Sequence, residues 1–278
     1  MCFASLQRQP VMFKHFLLYI LVIFITLVNL HAPLAASSKS ENCQTQLVSH
    51  DDWNVLLNRY VKDGFVDYRS WHAISEDRVI LTNYLSGLAG YCKPAFELLP
   101  AASRLAFTLN LYNAAVIDLV LKNYPLNSIN DIDDKVFNKP IMKLEWLDSK
   151  SVSLNALENE IIRPTFKDPR IHFALVCAAV SCPRLLNQAY SPAKVDKQLE
   201  AQTNNFFRDR LQVDYSQKGN VLKVSKIFEW YRQDFEIAAG SLNNYLKREL
   251  QKVQKSPSRK EAEIQFFEYS WKLNQSRK

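Results

Sequence analysis

The stretch from Asp168 to Leu185 carries one histidine and two cysteines inside an otherwise apolar run, DPRIHFALVCAAVSCPRL. The three are His172, Cys177 and Cys182. Such side chains act in nucleophilic catalysis and in metal binding, and an apolar run has little other reason to hold a titratable ring. A turn signal opens the run and a Ser-Cys-Pro step closes it, which predicts a buried strand between two loops.

Spacing favours Cys182 as the sulfur that His172 could activate. On a strand, His172 and Cys177 would be about 17 Å apart and on opposite faces. On a helix they would still be about 140° apart around the axis. Cys182 follows the run and can fold back through a turn. If His172 activates a cysteine, we therefore expect that cysteine to be Cys182.

Three chemical interpretations remain open from the residues alone. In a thiol hydrolase or transferase, Cys182 would be the nucleophile and His172 the base that lowers its pKa. In a metal site His172, Cys177 and Cys182 would be ligands, although Cys-x4-Cys is slightly long for a zinc knuckle. In the third, Cys177 is a small core residue or is disulfide-bonded to Cys182, and His172 is a hydrogen-bonded core histidine.

A central helix is predicted from Pro100 to Asn123, because this stretch is apolar on almost every face. Asn110 and Asn113 lie three residues apart and therefore share one face of it. A buried amide without partners costs on the order of 1–3 kcal/mol, so both must be satisfied by specific groups. They either bind the backbone of neighbouring loops or orient a catalytic group.

The remaining pattern predicts an α+β fold, with a helical first half packed on a small, mostly antiparallel sheet. Glu158 and Arg163 are charged residues in and just after the predicted helix that precedes the central stretch, and each is either a surface charge or part of the site. Periodicity and caps predict helices at 51–61, 76–88, 154–162 (ending at Arg163-Pro164), 191–210 and 242–253, a hairpin at 213–224 and a last strand at 266–271.

The first 36 residues have the pattern of a secretory signal peptide, with an uncleaved membrane anchor as the alternative. We expect a polar spacer at 37–50 and a single domain at 51–278. Without the leader four cysteines remain, an even number in a compartment where disulfides persist. Cys43 and Cys92 both have loop-like surroundings, so we expect a bond between them.

Composition favours an ordinary folded domain over a nucleic-acid-binding one. The chain of 278 residues is 47% hydrophobic and carries a net charge of +7, which is spread along the sequence. No basic run alternates with aromatic residues, as a nucleic-acid groove would require. The charge suits a solvated surface that could attract anionic envelope polymers.

Several motifs together resemble the domain-of-unknown-function 547 family. They are YVKDGFVDY (60–68), NLYNA (110–114), DPRIHFAL (168–175), CA (177–178), SCP (181–183), Tyr190, IFEWY (227–231) and DF (234–235). The resemblance implies that Asn110, Asn113, Glu158, His172, Cys177 and Cys182 are the positions that matter. The chain is also similar to papain-like or transglutaminase-like folds, although here the buried helix carries two asparagines and no cysteine.

We expect an exported domain in the periplasm or outside the cell, with Asn110, Asn113, His172 and Cys182 around one pocket. The first hypothesis is a cysteine-dependent amide hydrolase or acyl transferase, acting on a peptide, amide or envelope polymer without a cofactor or metal. The second is a non-catalytic binding module on the same scaffold. A membrane would be involved only through an uncleaved leader.

Overall fold

The structure, a computed structural model, describes residues 43–216, 220–253 and 262–276. In these residues, α-helices of 3 to 23 residues accompany three small sheets. The α-helices are α1 Asp51–Tyr60, α2 Tyr68–Ala73, α3 Ser75–Ala89, α4 Lys93–Glu97, α5 Ala101–Asn123, α6 Leu154–Ala156, α7 Arg163–Phe166, α8 Val195–Arg208, α9 Ile227–Trp230, α10 Arg232–Ala239 and α11 Leu242–Lys252. The strands are β1 Val61–Lys62, β2 Phe65–Val66, β3 Pro140–Leu144, β4 Lys150–Ser153, β5 Val213–Ser216, β6 Val221–Val224 and β7 Glu263–Phe266. The predicted α+β class is confirmed.

Helix α5 runs through the larger hydrophobic core, as its composition predicts. Residues on every side of it are buried, from Ala106 to Leu121. By length and hydropathy this helix could cross a membrane, but 78% of its most apolar window is buried by other parts of the protein. It ends before Pro125, whose ring disfavours helical backbone at Tyr124. Helix α3 packs on α5, and α1 packs on α3. Both helices lie close to their predicted bounds.

The sheets are small and mostly antiparallel, as expected. β1 pairs with β2, β3 with β4, and β5 with β6, all antiparallel, while β7 joins β6 in parallel. The antiparallel pairing of β5 with β6 agrees with the predicted hairpin at 213–224, of which 217–219 lie outside the described residues. The last strand differs from its prediction: it covers Glu263–Phe266, and 267–271 has no regular secondary structure. Those residues turn instead toward the segment that follows His172, where Ser181 donates its backbone N–H to the carbonyl of Ser270.

A second core of phenylalanines holds the C-terminal helices. Phe173, Phe206, Phe228 and Phe235 pack with ring centroids 4.6–5.9 Å apart. Burying such rings is worth about 1.5–3 kcal/mol each. Because Phe173 belongs to this core, its neighbour His172 is fixed relative to α9 and α10.

The predicted strand after Asp168 is wrong. Pro169–Phe173 is a 3-10 helix, whose first turn is capped by the Asp168 side chain, and an irregular segment follows it. Proline at the first helical position and aspartate before it both favour this start. Most residues of the apolar run are buried by other elements, so its composition resembles that of a buried strand although it belongs to no sheet.

The predicted helix end at Arg163-Pro164 is also wrong. The chain is α-helical at Leu154–Ala156, π-helical at Leu157–Ile162 and α-helical again at Arg163–Phe166. Proline normally breaks a helix because it lacks an N–H and crowds the carbonyl four residues earlier. The π-helical turns change that hydrogen-bond spacing just before Pro164. Such turns are frequent at functional sites, and Glu158 lies in this one.

The expected bond between Cys43 and Cys92 is present, with Cα atoms 5.0 Å apart. Backbone hydrogen bonds from Gln44 to Gly90 and from Cys92 to Gln44 accompany it. Residues 43–50, assigned above to the spacer, are therefore attached to the body of the domain. The leader at 1–36 and the rest of the spacer lie outside the described residues.

The Asn110 side chain joins α5 to the segment that precedes α8. Its Nδ2 donates to the carbonyl of Tyr190 at 2.8 Å, and its Oδ1 accepts the Tyr190 N–H at 2.9 Å. All of these groups are buried. Of the two roles left open for this residue, the structure shows binding to loop backbone.

Replacing Asn110 should therefore destabilise the fold. We expect Asn110→Ala to lower the free energy of unfolding by about 2–4 kcal/mol, because two buried backbone groups lose their partner. The control is Asn123→Ala, at the exposed end of the same helix, which should cost less than about 0.5 kcal/mol. Urea unfolding measures both, and equal losses would contradict this role for Asn110.

Candidate functional site

One cavity of about 280 Å³ collects most of the sequence-predicted site residues. Glu158, His172, Cys177 and Cys182 line it. The rest of its wall is Tyr112, Phe137, Asn155, Leu175, Val176, Pro183, Ile227, Trp230, Tyr231, Tyr269 and Trp271. Asn110 and Asn113 do not line it. The candidate site is thus built from α5, the π-helical turns, the segment after His172, α9 and the C-terminal segment.

His172 is buried at the wall of this cavity and is held on one side only. Its Nε2 lies 2.7 Å from Oδ2 of Asp234, and its ring stacks on Tyr231 with centroids 4.0 Å apart. Its Nδ1 has no hydrogen-bond partner among the described residues. Because the carboxylate accepts the proton of Nε2, a neutral ring has its lone pair on Nδ1. That nitrogen can accept a proton.

Asp234 connects the imidazole to a cation. Arg163 donates to both carboxylate oxygens, at 2.8 and 2.9 Å, and its guanidinium lies 4.9 Å from the Tyr231 ring centroid. Burial alone would raise the pKa of Asp234, but the hydrogen bonds from His172 and Arg163 outweigh it and hold that pKa well below its usual range. The carboxylate is therefore charged at every ordinary pH. Arg163, one of the two charges left open above, belongs to this cluster.

Glu158 lies on the opposite side of the imidazole. Oε2 accepts a hydrogen bond from the Tyr112 hydroxyl at 3.1 Å. Burial, followed by the Glu158 carboxylate, raises the pKa of the Tyr231 hydroxyl well above its usual value. Oε1 is 3.9 Å from the free Nδ1 of His172, which is too far for a direct hydrogen bond. Burial, followed by the nearby Glu158 charge, raises the pKa of the Tyr112 hydroxyl well above its usual value. Tyr112 therefore remains a proton donor to Glu158.

The two cysteines of the pocket face each other. The sulfurs of Cys177 and Cys182 are within bonding distance, and their Cα atoms are 5.9 Å apart. The Tyr269 hydroxyl is 3.0 Å from one sulfur and 3.3 Å from the other. The backbone N–H of Cys177 points at Sγ of Cys182 over 2.9 Å. Cys182 is 2% exposed, whereas Cys177 is partly exposed.

Asn113 positions the segment that leads to these cysteines. Its Nδ2 donates to the carbonyl of Ala174 at 2.9 Å, and its Oδ1 accepts the N–H of Val176 at 3.0 Å. A buried side chain of α5 thus replaces the strand partner that the irregular segment lacks. The asparagine acts on the pocket through the backbone and does not touch it.

Aromatic rings form the outer wall of the cavity. Tyr269 lies 4.7 Å from Trp230 and 4.8 Å from Trp271 between ring centroids, and Phe137 continues the wall. Trp230 is 49% exposed, so a large aromatic face is open to solvent at this end. Rings of this size provide most of the contact area where planar or apolar groups bind.

Several residues of the site did not stand out in the sequence: Asp234, Tyr231, Tyr269 and Tyr112. Tyr112, Tyr231 and Asp234 belong to motifs quoted for the family resemblance. A buried histidine needs a partner, so the DF motif at 234–235 was the available signal for Asp234. Nothing in the sequence near Tyr269 pointed to the cysteines. In the described part of the chain, no group of three or more His, Cys, Asp or Glu residues is arranged to hold a metal ion.

Comparison with known proteins gives one match. Residues 96–207 match the model of a family described as "Protein of unknown function, DUF547", which confirms the resemblance expected from the motifs. This range includes Asn110, Asn113, Glu158, His172 and both pocket cysteines, whereas Asp234 and Tyr269 lie outside it. No curated protein and no solved structure matches the chain, so the likeness to papain-like or transglutaminase-like folds stays a prediction.

The low pKa of Asp234 predicts how its loss depends on pH. A lowered pKa in the folded state stabilises the protein above the unfolded-state value of about 4, and this contribution is lost as the pH falls through the folded-state value. Asp234→Asn should lower the free energy of unfolding by about 1.5–3 kcal/mol at neutral pH, since charged hydrogen bonds are lost. The difference in free energy of unfolding between the wild type and Asp234→Asn should become smaller as the pH falls below about 4, because the wild type then loses this contribution.

Urea unfolding between about pH 3 and 7 tests this dependence. The matched control is Asp148→Asn, because Asp148 pairs with Lys93 at the surface and is 75% exposed. Its cost should stay below about 1 kcal/mol. A deficit of Asp234→Asn that is independent of pH would contradict the proposed charge state.

Proposed function

We propose that this domain, in which residues 96–207 match the model of the DUF547 family, is a cysteine-dependent amide hydrolase or acyl transferase. In the reduced protein, Cys182 is the nucleophile and His172 is the general base. Asp234 fixes the imidazole, with Arg163 behind it. The observation that carries the proposal is the buried His172 ring, with one nitrogen bound to a carboxylate and the other free in a pocket that contains two cysteines.

The half-bound imidazole is what a general base requires. A carboxylate at one nitrogen selects the tautomer and stabilises the imidazolium that forms when the other nitrogen takes a proton. The Asp234 carboxylate is ionised and faces Nε2, so Nδ1 becomes the basic atom. In a buried histidine with a purely structural role, both ring nitrogens would be expected to form hydrogen bonds.

Cys182 has surroundings that favour a thiolate. Once the sulfur is reduced, the N–H of Cys177 and the Tyr269 hydroxyl can both donate to it. Hydrogen bonds to the charged form lower a thiol pKa, and the thiolate is the reactive form. Because two donors surround this sulfur, we assign it the attacking role.

The reaction follows from these assignments. His172 takes the Cys182 proton on Nδ1, the sulfur attacks the carbonyl carbon, and the imidazolium returns the proton to the leaving amine as the C–N bond breaks. Water then attacks the thioester, which yields the acid and regenerates the thiol. If an amine acceptor replaces water, the same steps transfer the acyl group.

The wall of the pocket supports a substrate with an apolar or planar group next to the carbonyl. The rings of Trp230, Tyr269 and Trp271 provide such a surface. A peptide or an envelope polymer fits this class, and the net charge of +7 would attract an anionic polymer. The bond between Cys43 and Cys92 supports export to an oxidising compartment, as the leader predicts.

A non-catalytic binding module is the second candidate. The observation that favours it is the pairing of Cys177 with Cys182, because a disulfide has no free thiolate to attack a carbonyl. In that case the aromatic wall alone would recognise the ligand. A direct assay for an acyl-enzyme separates the two candidates.

The assay uses Cys177→Ser, which frees the Cys182 thiol without any reductant. With p-nitrophenyl acetate we expect a burst of nitrophenol and an acetyl adduct on Cys182, detected by peptide mass spectrometry. Adding His172→Gln should slow the burst by about 100-fold or more, because general-base catalysis is lost. Adding Cys182→Ser should remove the adduct.

Adding His72→Gln provides the matched control. His72 also makes a hydrogen bond through its ring, to the carbonyl of Leu121, but it is not part of the pocket wall. Its variant should keep the burst rate of the parent. If Cys182 of the folded parent forms no adduct, or if the rate is insensitive to His172→Gln, the domain is not an enzyme of this type.

A further inference from the structure

The described part of the chain contains two cysteine pairs, which differ in the length of the loop that they close and in their location. Cys43 and Cys92 are 49 residues apart, so their bond closes a long loop and restricts the unfolded chain strongly. Cys177 and Cys182 are five residues apart and close a loop that restricts the unfolded chain far less. The second pair lines the cavity. Stability explains the first pair well and the second pair poorly.

The two pocket cysteines are unequally exposed to solvent. Both line the cavity, but Cys177 is partly exposed, whereas Cys182 is only 2% exposed. In thiol–disulfide exchange an external thiol must approach one sulfur in line with the bond, and access decides which sulfur it attacks. The geometry therefore makes Cys177 the outer sulfur and Cys182 the inner one.

The segment that holds the sulfurs is fixed without their bond. Val180 donates its N–H to the carbonyl of Lys272 at 2.8 Å, and the carbonyl of Ala178 accepts the N–H of Asn274 at 2.9 Å. The Ser181 hydroxyl accepts the N–H of Ser270 at 2.8 Å, and Asn113 holds the start of the segment. A dithiol would consequently keep its two sulfurs adjacent, ready to close again.

The backbone itself is held in an unusual conformation at the first residue of this loop. Ala178 has φ of 59°, in the left-handed region that an alanine rarely adopts. Such a conformation persists only where the surroundings impose it, and these positions concentrate at functional sites. Here the surroundings are the backbone hydrogen bonds from the C-terminal segment.

Both oxidation states have partners in the pocket. The Tyr269 hydroxyl reaches both sulfurs, and the Cys177 N–H points at Cys182. These donors can stabilise a thiolate on the inner sulfur when the bond opens. The site thus supports the leaving group of exchange as well as the closed disulfide.

We propose that Cys177 and Cys182 form a redox-active pair that exchanges disulfide bonds with low-molecular-weight thiols at the cavity. The proposal uses the same sulfurs as acyl transfer but does not rest on that activity. Where both operate, the disulfide is the resting form and reduction releases the Cys182 nucleophile.

The exchange proceeds in two balanced steps. A thiolate attacks Sγ of Cys177, which forms a mixed disulfide and releases Cys182 as a thiolate that takes up a proton. A second thiolate attacks the sulfur of the first thiol, which releases Cys177 as a thiolate and forms the small-molecule disulfide. Two thiols are oxidised and the protein disulfide is reduced by two electrons.

The first experiment compares the two pairs within the same protein. The folded chain is incubated with dithiothreitol, quenched with acid at intervals, alkylated with iodoacetamide and analysed by peptide mapping. We expect the pocket pair to be reduced at least about tenfold faster than Cys43–Cys92, because Cys177 is accessible. Equal rates, or alkylation of both pocket cysteines before any reductant is added, would overturn the proposal.

The second experiment tests the order of the sulfurs with single variants and oxidised glutathione. Cys182→Ser should accumulate a glutathione adduct on Cys177 at least about tenfold faster than Cys177→Ser accumulates one on Cys182, since the inner sulfur is buried. Circular dichroism and urea unfolding check that both variants fold, and the alanine variants replace any that does not. Equal or reversed rates refute the assignment of Cys177 as the outer sulfur.

The two proposals fail separately. If the Cys177–Cys182 bond is reduced quickly and selectively but Cys182 of the Cys177→Ser variant forms no acetyl adduct, the redox proposal is supported and the hydrolase proposal is refuted. If Cys182 forms an acetyl adduct but the wild-type pocket pair is not reduced selectively, the hydrolase proposal is supported and the redox proposal is refuted.

Discussion

The imidazole of His172 is buried. The structure around it depends on which hydrogen-bond partners its two nitrogens have. A buried polar atom without a partner costs on the order of 1–3 kcal/mol. The protein supplies one partner, Asp234, and holds that carboxylate with Arg163, 71 residues away in the chain. The second nitrogen is left without one in the described part of the chain. This unpaired nitrogen is the observation on which the proposed role of His172 as a general base rests.

Retaining that geometry requires elements that are far apart in sequence to meet at one point. The phenylalanine core fixes Phe173 and therefore the 3-10 helix, and the π-helical turns place Glu158 opposite His172. Asn113 then fixes the backbone that leads to the cysteines. Each of these contacts uses a buried polar or aromatic group, and a poor fit of such a group lowers the free energy of unfolding. The pocket is consequently rigid on its inner side, whereas Trp230 is half exposed on its outer side.

Residue patterns predicted much of this fold because local chemistry sets it. The all-apolar α5, the helices α1, α3 and α11, and the hairpin of β5 and β6 follow from periodicity and turn residues. The need of Asn110 for specific partners could also be predicted, since a buried amide must be satisfied. The segment after Asp168 could not be predicted in this way. Its backbone partners are Asn113 and the residues 270–274, so composition alone made a strand the best interpretation of a run that other elements stabilise.

The same argument explains which part of the site was missed. His172, Cys177, Cys182 and Glu158 lie within 25 residues of one another, and the residue types alone attracted notice. Asp234 and Tyr269 come from segments that reach the pocket only through tertiary packing, and both lie outside the range that matches the family model. In the proposed mechanism the matched range would provide the reactive groups, while later segments would provide the carboxylate that orients the base and the hydroxyl that lies near both sulfurs. The orientation of the proposed base therefore depends on residues that the family match does not cover.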